Sequence, residues 1–166
     1  MSPEPVFFYR TAHPFSNFHP SVFTEGGVTY QWAEQYLMAR KVALFGDEVT
    51  RRAILAACTP GECKALGRRV SPYDDARWAE ERFGVALDTL RLKFGQNAWL
   101  RAALLGTGES ELVEAAPDDR IWGVEFSEQD APGARQACGE NLLGRALMAV
   151  RAELTADDGS LKVGSG

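Results

Sequence analysis

Glu34 and Lys41 are the residues whose placement first asks for an explanation. They lie seven apart in "YQWAEQYLMARK", a stretch that reads as a helix from about Gln31 to Leu44. At about 100° per residue they fall within roughly 20° of each other on the helical wheel. Leu37, Met38, Leu44 and Phe45 share that face, and Trp32, Tyr36, Ala39 and Ala43 make the other side apolar too. Only Gln31, Gln35 and Arg40 are plainly polar, so the helix has little face to spare for water. A charge in such a stripe costs several kcal/mol unless it is paired or faces a polar cavity. The two are separated by roughly 10.5 Å of helix, too far for direct contact without bending of both side chains. Each is expected to meet something else: a charge on a neighbouring helix, or a ligand between them. On the helix alone the neighbouring-charge reading is the stronger.

Other stretches could add to a site. In "FSNF" two aromatic anchors flank Ser16 and Asn17, which could face a pocket or merely close an Asx-type turn. "PDDRIWG" sets Asp118 and Asp119 before Trp122 and Gly123. A tryptophan followed by glycine lets a flat ligand approach a ring face and the backbone together, although a turn with a core tryptophan is commoner. "LKFGQN" offers Lys93 and Gln96, with Trp78 upstream, or else a solvated helix face. "LGRR" places Arg68 and Arg69 near a helix end, where arginine suits a phosphate or the helix dipole.

Several chemistries find no support. The only histidines, His13 and His19, are near the N-terminus, with no HExxH or His/Cys cluster, so no metal centre and no cofactor are expected. No GxSxG elbow supports a serine triad, and no GxGxxG or Walker motif appears. The net charge of −5 argues against a broad basic surface for nucleic acid, yet leaves room for one phosphate-binding pocket. No run of about 18 apolar residues could span a membrane. "MSPEPVFFYR" does not read as a signal peptide, and three cysteines without a CxxC suit a reduced, cytoplasmic setting.

The elements that must position these residues follow from local signals. "VFFYR" and "ELVEAA" are β-prone, "IWGVEF" reads as a further strand, and Gly26–Gly27 marks a hairpin. Helices follow the first of these: one ending at Gly46, one capped by Asp47, and one opened by Thr59 with Pro60 and Glu62 in a capping box. A long helix spans "DDARWAEERFGVALDTLRLKFGQN", a shorter one "AWLRAALLGTG", and a last one runs from about Glu140 to Leu154. A chain of 166 residues with 45% apolar content suits one domain. The fold class expected is α+β, mostly α-helical, with a small β-sheet built from residues far apart in sequence. The domain is expected over residues 1–155, with 156–166 a disordered tail.

In order, "FFYRTAHPFSNFHP", "YQWAEQYLMARK", "ALGRRV", "RWAEERFGVALDTLRLKFGQNAWLRAALLGTG", "ELVEAAPDDRIWG" and "GENLLGRALMAVR" resemble the YbiA-like or NADAR family over about residues 6–154. The resemblance implies an N-glycosidase, which cleaves a bond between nitrogen and the anomeric carbon of a ribose. It brings two substrate classes: phosphorylated intermediates of riboflavin biosynthesis, and ADP-ribose attached to guanine in DNA or RNA. It implies that Glu34, Lys41 and Asp119 are catalytic and that Asn17, Trp78 and Trp122 bind substrate. The chain departs from the family at Glu125, where a glycine commonly follows "WG", and in the segment "SEQDAPGARQACGEN".

Breaking an N-glycosidic bond builds positive charge on the ribose and negative charge on the leaving base. A carboxylate answers the first and an acid the second. Glu34 and Asp119 are expected to divide that work. Lys41, if desolvated, could instead attack the opened sugar and form a transient Schiff base. Trp78 and Trp122 would stack on the base, Gly123 would admit it to the backbone, and Arg68 or Arg69 would hold a phosphate. A module that reads ADP-ribose or NAD without hydrolysis is the alternative of another class.

Overall fold

The computed structural model describes residues 3–117, 119–123 and 139–163, with side chains to residue 159. These form two compact units, Asn17–Asn97 and a second built from Met1–Ser16 with Ala98–Gly166.

The Asn17–Asn97 unit opens on a hairpin, β2 (Pro20–Glu25) and β3 (Val28–Trp32), the first strand, β1 (Val6–Phe8), being in the other unit. Gly26 and Gly27 turn the corner at φ +57° and +79°, a left-handed region that side chains disfavour. Phe23 pairs with Tyr30 across the strands, and both rings pack against Tyr36 with centroids 5.0–5.8 Å apart. Burying each such ring is worth roughly 1.5–3 kcal/mol. Four helices follow: α1 (Ala33–Leu44), α2 (Glu48–Leu55), α3 (Pro60–Gly67) and α4 (Asp75–Gly95). The capping signals hold. Asp47 accepts from Thr50 N, Thr59 from Glu62 N, and Asp74 from Ala76 and Arg77 N. Glu62 closes its half of the box one residue early, on Cys58 N.

Helix α1 is the centre of this unit and packs on α2, α3 and α4. Ala33 to Ala39 are all buried, including Gln35, one of the three plainly polar residues of the stretch. Gln35 Nε2 donates to the carbonyls of Ile54 and Leu55 at the end of α2, and its Oε1 accepts from Gln31 N. The start of the helix is also later than expected, because Gln31 and Trp32 still belong to β3. At the other end of α4, Gln96 is a clamp rather than a site residue: Oε1 accepts from Thr24 N and Nε2 donates to Thr24 O.

In the second unit β1 (Val6–Phe8) lies parallel to β4 (Leu112–Glu114), with Phe7 opposite Val113. Among its described residues are two helices, α5 (Ala98–Leu105) and α6 (Leu142–Val163). Helix α6 runs past Leu154, so residues 156–163, expected as a disordered tail, are helical. Asn141, at φ +49°, stitches the start of α6 to β4 through Glu114 N and Leu112 O. The loop after β1 is packed, as its aromatics suggest: Phe8, His13 and Phe15 hold ring centroids 5.0–5.9 Å apart.

The expected strand "IWGVEF" is not one over its described part. Ile121–Gly123 is a turn, and Glu125 with most of the following segment lies outside the described residues. Asp119 Oδ1 takes the N–H groups of Ile121 and Trp122, and the carbonyls of residues 121–123 take those of Leu142, Leu143 and Asn141. The backbone groups that a strand would pair are used instead to start α6. The fold class is α+β and mostly helical, with six helices and two two-stranded sheets among the described residues.

Candidate active site

Glu34 stands in the first turn of α1 because β3 runs straight into the helix. Its backbone N–H donates to Asn17 O at 3.0 Å, and its side chain is buried. Asn17 is itself buried, and its Oδ1 has no hydrogen-bond partner among the described residues. A buried acceptor left open costs about 1–3 kcal/mol, which a donor hydroxyl from a ligand would recover. The Asx-turn reading of "FSNF" therefore leaves this oxygen unexplained.

Lys41 is half-buried two turns further along. Its Nζ lies 5.2 Å from the Tyr73 ring centroid and 5.8 Å from that of Trp78. Burial pushes the ammonium below the usual lysine range. Glu34 and Asp75 resist that shift, and Arg68 adds to it. The two charges of α1 thus act on each other, and α3 and α4 each bring one more. Neighbouring elements supply charges, as one of the two readings of the wheel expects, and two rings wall the amine.

Cys63 on α3 also feels Glu34. Burial, then the charges of Glu34 and Glu62, push its thiol up to about 12, so it is no nucleophile at neutral pH. Arg68 ends α3 and is exposed; Arg69 is exposed beside it, with its N–H on Leu66 O. Trp78, on the first turns of α4, is 5% exposed, so little of its ring is open to a ligand. Among the described residues no group of three or more His, Cys, Asp or Glu side chains could hold a metal ion.

Asp119, Trp122 and Gly123 belong to the other unit. Asp119 is half-buried, with Oδ1 engaged in its own turn. At Gly123 a Cβ would come within 2.6 Å of Glu114 O, so glycine is needed there for packing on β4. Two residues near Lys41 escape a reading by motif. Tyr73 and Asp75 lie in "SPYDD", which from sequence is only a turn and a helix cap.

A NADAR domain family model matches residues 7–155. The chain belongs to the NADAR family. An N-glycosidase of Acanthamoeba polyphaga mimivirus is 39% identical over 148 residues, 85% of this chain and 87% of that relative. A riboflavin biosynthesis protein of Vibrio vulnificus is 32% identical over 154 residues, 91% of this chain but 39% of that longer protein. Among solved structures, the NMR structure of Escherichia coli YbiA superposes with a TM-score of 0.77 at 32% identity, covering 95% of this chain and 89% of that one. This NADAR protein is accordingly an enzyme, a hydrolase of N-glycosyl compounds. No helix among the described residues is long and apolar enough to cross a membrane.

Proposed function

We propose that this NADAR protein cleaves the ribose–nitrogen bond of ADP-ribosylated guanine in nucleic acid, or of a related ADP-ribosyl conjugate. One observation carries the reading: a buried carboxylate and a half-buried, ring-walled ammonium lie on one helix and act on each other. Hydrolysis adds water across the bond, with oxygen joining C1′ and the nitrogen leaving with a proton. Glu34 answers the charge that builds on the ribose or takes the proton from water. The open Oδ1 of Asn17 accepts from a ribose hydroxyl. Lys41 holds negative charge near the leaving group or, when neutral, attacks C1′ of the opened sugar. Arg68 offers a phosphate contact, with Arg69 next to it. A module that only binds ADP-ribose has no use for the Glu34–Lys41 pair.

A second reading, cleavage of a phosphorylated riboflavin-biosynthesis intermediate, is favoured by the name of the Vibrio vulnificus relative. Both substrates are phosphate-bearing ribosides of a flat base. Incubation with single-stranded DNA carrying ADP-ribosylated guanine, and separately with the pyrimidine ribose phosphate, separates them. Glu34→Gln should lower kcat on the true substrate roughly a hundredfold to ten-thousandfold without loss of the fold. Normal turnover by that variant would remove Glu34 from the chemistry.

A further inference from the structure

Tyr73 is the ring beside Lys41 that stays open to solvent. It is 44% exposed, against 5% for Trp78. Yet it is held from three directions. Its ring meets Phe45 at 5.2 Å and 66°, its hydroxyl donates to Asp75 Oδ1 at 2.9 Å, and Lys41 Nζ lies 5.2 Å from its centroid. Fixing an aromatic side chain while leaving much of its apolar surface in water gains little from packing alone. A flat ligand laid on the ring would cover that surface.

Position says which part of a ligand this would be. If Lys41 serves the carbon–nitrogen bond being broken, the exposed ring next to its amine lies against the leaving heterocycle. The adenine at the far end of an ADP-ribose would sit elsewhere. Charge around the ring is mixed: Asp74 and Asp75 act on the Tyr73 hydroxyl together with Arg82, and Glu34 and Asp75 act on Lys41 together with Arg68, so it is the exposed ring face, not a net charge, that suits a flat ligand. The plainer role, a cover for Lys41 and a prop for the turn into α4, would alter turnover through the lysine and leave affinity for the heterocycle alone.

We propose that Tyr73, braced by Phe45 and Asp75, is the surface on which the leaving heterocycle stacks. This rests on the N-glycosidase reading of Lys41. Stacking of a base on an aromatic side chain tolerates any heterocycle, because every base has a π-face. Specificity for guanine would then come from elsewhere.

Binding is measured in a Glu34→Gln background, which stops turnover. Two pairs of probes isolate the ring: a single strand with one ADP-ribosylated guanine against free ADP-ribose, and the pyrimidine ribose phosphate against ribose 5-phosphate. Adding Tyr73→Leu should weaken the heterocycle-bearing probe of the true pair roughly tenfold to a hundredfold. Its ring-free partner should change by less than about twofold, within the error of such comparisons. Tyr73→Phe and Tyr73→Trp should recover most of the loss. The proposal is overturned if Tyr73→Leu affects neither pair selectively, or if it lowers kcat in the otherwise unaltered enzyme with KM unchanged. Turnover by the unaltered enzyme is read separately. Its failure on both substrates removes the glycosidase reading, while the titrations still judge Tyr73.

Discussion

A lysine can neutralise a leaving group as an ammonium or attack a sugar as an amine, and its surroundings set the balance. Around Lys41 burial favours the amine, Arg68 supports it, and Glu34 and Asp75 favour the ammonium. Removing a neighbour should therefore move the titration in a known direction. Asp75→Asn takes away a charge that holds the ammonium, so the pKa falls further. Arg68→Gln takes away a repelling cation, so it rises. If the neutral amine is the working form, kcat/KM rises with pH through this pKa. The rising limb should then shift to lower pH in Asp75→Asn and to higher pH in Arg68→Gln. Shifts in the same direction, or a limb insensitive to both, would show that Lys41 does not titrate in the reaction. Borohydride trapping supplies the companion test: an adduct absent from Lys41→Ala but present in the parent marks the covalent route.

At the scale of elements, α1 shows how much a wheel can reveal. Its near absence of a polar face is legible in the residues from Trp32 to Phe45, and the structure buries it between three helices. The wheel marks Gln35 only as polar; it is buried because its amide meets the end of α2, and nothing within α1 announces that partner. Gly67 shows the same limit. In sequence it is a helix end; in the structure it lets α3 approach α1 so closely that a Cβ would collide with Met38 Sδ. Gly67→Ala meets only the movable Met38 side chain and gains helix propensity, so it should change stability by less than about 1 kcal/mol, read from the urea midpoint. Combined with Met38→Ala it should cost less than the two single changes summed, since the clash then has no partner. The "IWGVEF" reading fails for a related reason. Alternating apolar residues fit a strand, but the N–H groups of residues 121 and 122 are taken by Asp119 and the carbonyls of residues 121–123 by the start of α6.

For the molecule as a whole, one buried amine ties stability to pH. Lys93 on α4 is 0% exposed, and burial pushes its amine down to about 7. Below that pH the folded and unfolded chains both hold the proton, and the folded state keeps a buried ammonium. Between about 7 and the usual 10.5 the unfolded chain holds a proton that the folded chain has lost. Stability from this residue therefore rises with pH across that window. Urea midpoints at several pH values should show a steeper rise for the parent than for Lys93→Met. Parallel curves would mean that Lys93 keeps its charge in the folded state.

The residue pattern by itself determined the fold class, the hairpin, the helix caps and the odd placing of Glu34 and Lys41 on one apolar stripe. Each depends on chemistry within a few turns of chain: backbone angles at glycine, caps for open N–H groups, and charges on an apolar stripe. The ordered set of motifs determined the family. Tertiary structure alone decided that Arg68 and Asp75 bear on Lys41, that Trp78 is buried while Tyr73 is open, and that no donor among the described residues reaches the Asn17 side-chain oxygen. Those facts depend on which surfaces meet when α1, α3 and α4 pack. Burial and electrostatic coupling follow distance in space, which spacing along the chain does not measure.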